Sequence, residues 1–551
     1  MKPLRPFLAA LILAGTPALA YAQGSLALKH APAPTAPAIT SADLITRLYI
    51  LADDSMLGRR AGELGNLKAT AYIEAEARRL GLEPAGDGGG YFQNVPLVRR
   101  TLAERSWLAA GGQRLQLWTD YTPLPARGDR RPLQGARVIY GGAIDDVRIS
   151  REQAAGQLVL LRSAAGLAGL GRLRIPPTSP LQAAAGVAIV ADQPLPEAMI
   201  QRLHEPSLTL PSSGEVVPGV LLVTAHAADV LLGAPFADAQ PGVTGKTITG
   251  QLAYDDVPAP TRNVVGIVRG TDPQLRGEYV ALSAHTDHLG AGAALDHDSI
   301  RGWNMVMRPA GADSRVTGPP TPEQAARITA LLDSIRRVQP DRRDSIFNGA
   351  DDDGSGTVSL LEIAQAFAAG PAPKRSLLFV WHTGEELGLL GSRWFSEHPT
   401  VPRDSIVADL NMDMVGRGAA ADLPNGGPRY LQLVGSHRLS TELGDLVEKV
   451  NAGEPQPFTF DYQYDANGHP QNIYCRSDHA MYARYGIPVT FFTTGLHEDY
   501  HQLTDEPEYI DYEHMARVAQ LVHDVAARVG DLDHRPVVDK PKPDPTAPCR
   551  Q

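Results

Sequence analysis

From about residue 255 onward, β-type apolar runs alternate with helix-forming segments, and histidines or carboxylates stand where several of the runs stop. Residues 279–284, 376–381, 405–410 and 487–492 read as strands. Residues 358–369 read as a helix with Leu361, Ala364 and Ala368 on one face, and residues 387–397 as another. Met515, Val518, Val522, Val525 and Val529 mark the apolar stripe of a last helix. This alternation predicts an α/β fold: a mixed, largely parallel sheet flanked by helices on both faces. In an open sheet of this kind, ligands bind outside the carboxyl ends of the strands. Side chains far apart in sequence converge there.

Five segments supply the candidates: His285-Thr286-Asp287, Asp351-Asp352-Asp353-Gly354, Gly384-Glu385-Glu386, Asn411-Met412-Asp413 and Tyr500-His501. Each has an ordinary reading. His285 and His501 could be structural histidines, Glu385 and Glu386 an acidic helix start favoured by the macrodipole, and Asp413 a cap. Together they offer five metal ligands and one spare acid. Peptide hydrolysis needs an activated water, a polarised carbonyl and a proton for the leaving amine. Two metal ions about 3.5–4 Å apart, bridged by a carboxylate, supply the first two. A free carboxylate moves the proton. Residues 351–362 also fit the calcium loop of an EF-hand, with Asp351, Asp353, Ser355, Gly356, Val358 and Glu362 in suitable places. Against that reading, Asn348-Gly349 is poor sequence for the incoming helix.

Composition limits the alternatives. A chain of 551 residues is long enough for two or three domains. A formal charge of −11 excludes an ordinary nucleic-acid partner, which would need a basic surface. Only two cysteines, Cys475 and Cys549, are present, so a thiolate-rich metal site is excluded. They either bridge or remain free thiols; pairing depends on geometry. Lys2 and Arg5, a short apolar stretch and two small-residue cleavage patterns read as a signal peptide over residues 1–22. The expectation is a periplasmic or secreted protein with no stable membrane association.

Residues 23–114 begin with an Ala/Pro-rich lead-in and continue as helical sequence from Ser41, a candidate cap. Between 115 and 250 the pattern changes to short β-type runs, at 138–140, 158–161, 187–190 and 220–223, separated by Gly and Pro. This block lacks the clustered ligands and reads as an inserted β-rich module. The catalytic stretch spans 251–530. Residues 290–345 interrupt it with one helix over 322–338 and otherwise loop-like sequence, and 531–551 form a Pro-rich tail expected to be loose.

At the five segments the chain resembles the M28 family of zinc peptidases. The block 115–250 resembles a protease-associated (PA) domain. The resemblance implies the zinc exopeptidase fold and two Zn2+ ions per chain. Asp352 would bridge them, His285 and Asp413 would complete one site, and Glu386 and His501 the other. Glu385 would be the general base acting with a metal-bridging hydroxide, Asp287 would support His285, and Tyr474 would help steady the oxyanion. The implied substrates are peptides and the implied reaction is aminopeptidase cleavage. A carboxypeptidase of the same family, and a non-catalytic or calcium-binding protein, are the alternatives. Side-chain preference and oligomeric state are not read from the sequence.

Overall fold

The structure is a computed structural model that describes residues 31–551, apart from 125–128, 164–174, 176–177, 192–196, 212–215, 339–341, 421 and 424. The signal-peptide reading therefore lies outside the described residues. Among these, no helix is long and apolar enough to cross a membrane.

Among the described residues, the chain builds two nine-stranded sheets and three smaller ones. The first contains nine strands: β1 (Glu83–Pro84), β2 (Phe92–Val95), β3 (Thr261–Val268), β4 (Tyr279–His285), β5 (Ser376–His382), β6 (Ile406–Met412), β7 (Tyr430–Val434), β8 (Thr459–Asp461) and β9 (Val489–Thr493). Their spatial order is β1-β3-β5-β4-β6-β9-β7-β8, with β2 also paired to β3. The centre, β5-β4-β6-β9, is parallel. Antiparallel pairs flank it on both sides, β3 with β5 and β9 with β7. The expected mixed α/β sheet is present, with its parallel part concentrated where the ligand-bearing strands lie.

Period-2 alternation explains why the strands look uniformly apolar. Leu377, Phe379 and Trp381 of β5 join the core on one face, while Leu378 and Val380 join the core on the other. Helices cover both faces, the main ones being α1 (Ser41–Leu51), α2 (Leu64–Leu80), α5 (Gly356–Ala369), α6 (Leu390–Glu397), α7 (Thr441–Gly453) and α8 (Tyr512–Gly530), while α3 (His297–Met307) and α4 (Pro322–Val338) pack on each other in the 290–345 segment. The apolar stripes of α1, α2, α5, α7 and α8 share the larger core. Phe395 of α6 enters the opposite one. Thr40, rather than Ser41, caps α1, its hydroxyl accepting the Asp43 N–H.

The second sheet is built from residues 107–251 and has its own cores on its two faces. All four runs expected between 115 and 250 are strands: Arg137–Ala143, Leu158–Arg162, Gly186–Ala191 and Gly219–Thr224, lying side by side in parallel. The sheet also takes Trp107–Ala110 and Gln113–Leu115 from before residue 115. A three-stranded neck, with Val98–Leu102 between Ser207–Thr209 and Tyr254–Pro258, carries the chain out of the first sheet and back.

Two expectations are corrected. The 290–345 segment is not mostly loop. Gly290–Asp296 pairs antiparallel with Arg343–Phe347, and α3 precedes α4. The tail is not loose. Cys549 is bonded to Cys475, Arg535 Nε donates to Glu278 Oε1 at 2.8 Å, and the Thr441 N–H donates to Asp539 Oδ1 at 2.9 Å.

Candidate metal centre

The central strands deliver their ends to one place. His285 closes β4, and its imidazole is 1 % exposed. Its backbone N–H donates to Asp353 Oδ2 at 3.0 Å, and its carbonyl accepts the Thr357 hydroxyl at 2.6 Å. Asp352 lies in the loop Ala350–Ser355 that leads into α5. Asp505 holds this loop, accepting the N–H of Asp351 at 2.9 Å and of Asp352 at 3.1 Å. The Asp352–Asp353 peptide is cis. Glu385 and Glu386 stand in the turn after β5, Asp413 directly after β6, and His501 in the loop after β9.

These residues meet around the Asp352 carboxylate. Its Oδ1 is 3.2 Å from His285 Nε2, and its Oδ2 is 2.9 Å from His501 Nε2. Asp413 Oδ1 lies 3.7 Å from His285 Nε2. Glu386 Oε2 lies 2.9 Å from His501 Nε2. Two groups of donors result, each with its atoms within 4.8 Å of one another: His285, Asp352 and Asp413, and His288, Asp352 and Glu386. Asp352 is common to both. Glu385 belongs to neither group; its Oε2 is 3.9 Å from His285 Nε2.

Charge explains what this arrangement needs. Several carboxylates buried together repel one another and have lost water, which is costly without cations. Burial would raise the Asp352 carboxyl, but the imidazoles of His285 and His501 outweigh it and hold it well below the usual range. Burial would lower His501, but Glu386 and Asp352 outweigh it and lift the imidazole to about 11. His285 is likewise raised against its burial, by Asp413 and Glu385. Protons on these imidazoles stand where metal ions would otherwise balance the acids. A donor set of imidazole and carboxylate in two groups with one shared member fits a dinuclear site.

For Glu385 the balance runs the other way. Burial pushes its carboxyl well above the usual range, and Glu386, Asp413 and Asp478 add to the rise against His285. Asp287 is fully buried and reaches this turn: its Oδ1 accepts the Glu385 N–H at 3.1 Å. Its expected support of His285 comes through the backbone instead. His285 Nδ1 is 3.1 Å from the Asp287 carbonyl, and the Asp287 carboxylate is 3.8 Å away.

Tyr474 is not brought to the cluster. Its ring packs against Gly435 and Val489, with the Arg438 guanidinium 4.1 Å from its centre. Ile473, Arg476 and Ser477 on either side line the cavity, as do Tyr464 and Tyr500. The calcium-loop reading also fails. Asp351 Oδ1 and Asp353 Oδ1 accept the N–H groups of Gly416 and Gly356 at 2.7 and 2.9 Å, and Glu362 is buried in an ion pair with Arg47.

Two residues at the site carried no role in the sequence reading. His288 Nδ1 lies 2.8 Å from Glu386 Oε1. Asp478 is wholly buried near His285 and Asp413, and burial lifts its carboxyl to about 7. A cavity opens over the cluster. Its floor is Asp352, Glu385, Asp413 and His501, and its wall includes Met414, Ile473, Phe491 and Leu496.

Residues 263–526 match the sequence model of peptidase family M28. This segment belongs to that family. The matched segment holds every residue of the His285–Asp352–His501 cluster. Leucine aminopeptidase 1 of Paracoccidioides brasiliensis is 33 % identical over 185 residues, covering 31 % of this chain and 44 % of the relative. Leucine aminopeptidase 1 of Aspergillus fumigatus is 31 % identical over 187 residues, with the same coverage of 31 % and 44 %. The chain thus spans less than half the length of these curated relatives. Among solved structures, the aminopeptidase from Aneurinibacillus sp. strain AM-1 aligns with a TM-score of 0.48 at 15 % identity, over 91 % of this chain and 97 % of that one. The zinc aminopeptidase of Bacillus subtilis gives 0.45 at 15 % identity, over 92 % and 100 %.

Proposed function

We propose that the chain is an exported, dinuclear zinc aminopeptidase that removes amino-terminal residues from peptides. The carrying observation is Asp352, which presents one oxygen to His285 and the other to His501. His285 and Asp413 would hold one ion with it, and Glu386 and His501 the other. The donors suit several divalent metals; zinc is the one the family resemblance implies. When bound, the pair of ions lowers the pKa of water and polarises the scissile carbonyl.

The chain's own residues do the rest. Glu385 faces the cavity beside the cluster without belonging to either donor group. It takes a proton from the attacking water and returns it to the leaving nitrogen as the C–N bond breaks. Asp287 fixes the turn that carries Glu385. The apolar wall receives the side chain of the first residue. A carboxypeptidase would need a cation for the terminal carboxylate, and the cavity's Arg476 is already paired with Asp313. The 107–251 module is assigned as a PA-like insertion and the first 22 residues as an export signal.

The test compares amino-blocked with carboxyl-blocked peptides on zinc-loaded protein. Cleavage of the carboxyl-blocked series alone supports the aminopeptidase. Cleavage of the amino-blocked series alone refutes it.

A further inference from the structure

The 290–345 segment bonds to two residues that line the cavity, Tyr500 and Arg476. Its turn Gly311–Asp313 is stitched to Tyr500, the residue before His501. The Ala312 N–H donates to the Tyr500 carbonyl at 3.0 Å. Gly311 has φ +48°, and a Cβ there would lie 2.2 Å from the same carbonyl oxygen. Only glycine permits that approach, so the turn is fixed in place. Its last residue, Asp313, accepts a hydrogen bond from Arg476 Nη1.

Arg476 lines the cavity together with Ile473, Ser477, Phe491 and Leu496. Its Nη2 donates to the Tyr500 hydroxyl at 2.9 Å. The guanidinium is thereby held between a carboxylate from the insertion and a phenol beside the metal cluster. Arg476 lines the cavity, and it and Asp313 are 32 % and 28 % exposed, so the pair is within reach of solvent and of an incoming side chain. A bare guanidinium there would attract an acidic substrate side chain, and a bare carboxylate would attract a basic one. Paired, they present little net charge above an apolar wall.

We propose that Asp313 masks Arg476 and so sets the specificity of the cavity for uncharged, apolar amino-terminal side chains. The inference rests on the aminopeptidase reading and names its substrate class. The insertion thus acts as a specificity element, supplying the carboxylate that pairs with the cavity's Arg476.

The mask makes two opposite predictions. Asp313→Asn exposes the cation, and the kcat/KM ratio for glutamyl over leucyl p-nitroanilide rises about ten-fold, ~1.4 kcal/mol. Arg476→Gln exposes the carboxylate, and the ratio for lysyl over leucyl p-nitroanilide rises by about the same factor. The double variant shows neither shift. The same ratios are read independently of turnover by titrating free leucine, glutamate and lysine into zinc-loaded protein. A wild-type protein that cleaves none of the anilides refutes the aminopeptidase reading, while the titrations still decide the mask. Ratios within two-fold of wild type in both single variants overturn it. If one variant does not fold, the other carries the test with its own sign.

Discussion

Replacing Glu385 by glutamine tests the division of labour in the cluster. The side chain keeps its size, so the cavity and the turn fixed by Asp287 remain. The site loses one of several mutually repelling acids, Glu385 being crowded by Glu386, Asp413 and Asp478. Its charge is not needed to hold a metal, because it lies outside both donor groups. Metal content is therefore expected to equal that of the wild type. Turnover is not. General acid–base help is worth about 10²–10⁴-fold, and in the proposed mechanism Glu385 serves both as base toward water and as acid toward the leaving amine. We expect the upper part of that range, a loss of about 10³–10⁴ in kcat, or ~4–5.5 kcal/mol in the barrier. The assay is steady-state hydrolysis of leucyl p-nitroanilide, with zinc measured on the same preparation. In the wild type, activity is expected to fall as pH falls, because the base must start unprotonated. In the variant that acid limb disappears. A kcat within ten-fold of wild type at full metal content would refute the role assigned to Glu385.

Two further outcomes follow from the same geometry. In the metal-free protein His501 titrates at about 11 and His285 is also raised, so both carry protons at pH 7. Coordination needs them neutral, so metal uptake should release about two protons per chain at that pH and weaken as pH falls; calorimetry in buffers of different ionisation enthalpy counts them, and no release would contradict the ligand assignment. Arg301 of α3 donates to the buried Asp499, which also accepts from Arg417 at 2.9 Å and Thr504 at 2.6 Å and lies two residues before His501. Arg301→Ala should loosen that loop by about 1–3 kcal/mol and weaken one of the two metal sites more than the other, which competitive chelation resolves; equal weakening of both sites would count against it.

Most of the ligands were legible because they stand just beyond a buried strand; Asp352 differs, standing before a helix. His285 and Asp413 directly follow apolar strands, where an idle charge would be costly. The order of the segments supplied the rest. Tyr474 was misread because sequence spacing does not say which way a ring points; the fold turns it under Arg438 while its neighbours face the cavity. His288 left a faint signal, a second histidine three residues after His285. Asp478 left none, since a buried carboxylate looks in sequence like any other. Helix α3 was hidden because it buries His297, Asp298 and Asn304 in place of an apolar stripe and carries Gly302. The bond between Cys475 and Cys549 depends on chain geometry 74 residues apart.

The most direct measurement is a zinc titration of the metal-free protein and of Asp352→Ala, followed by mass spectrometry under native conditions. The account predicts two equivalents for the wild type and none held tightly by the variant, because one aspartate serves both ions. A single tight equivalent in the wild type, or two retained without Asp352, would contradict it.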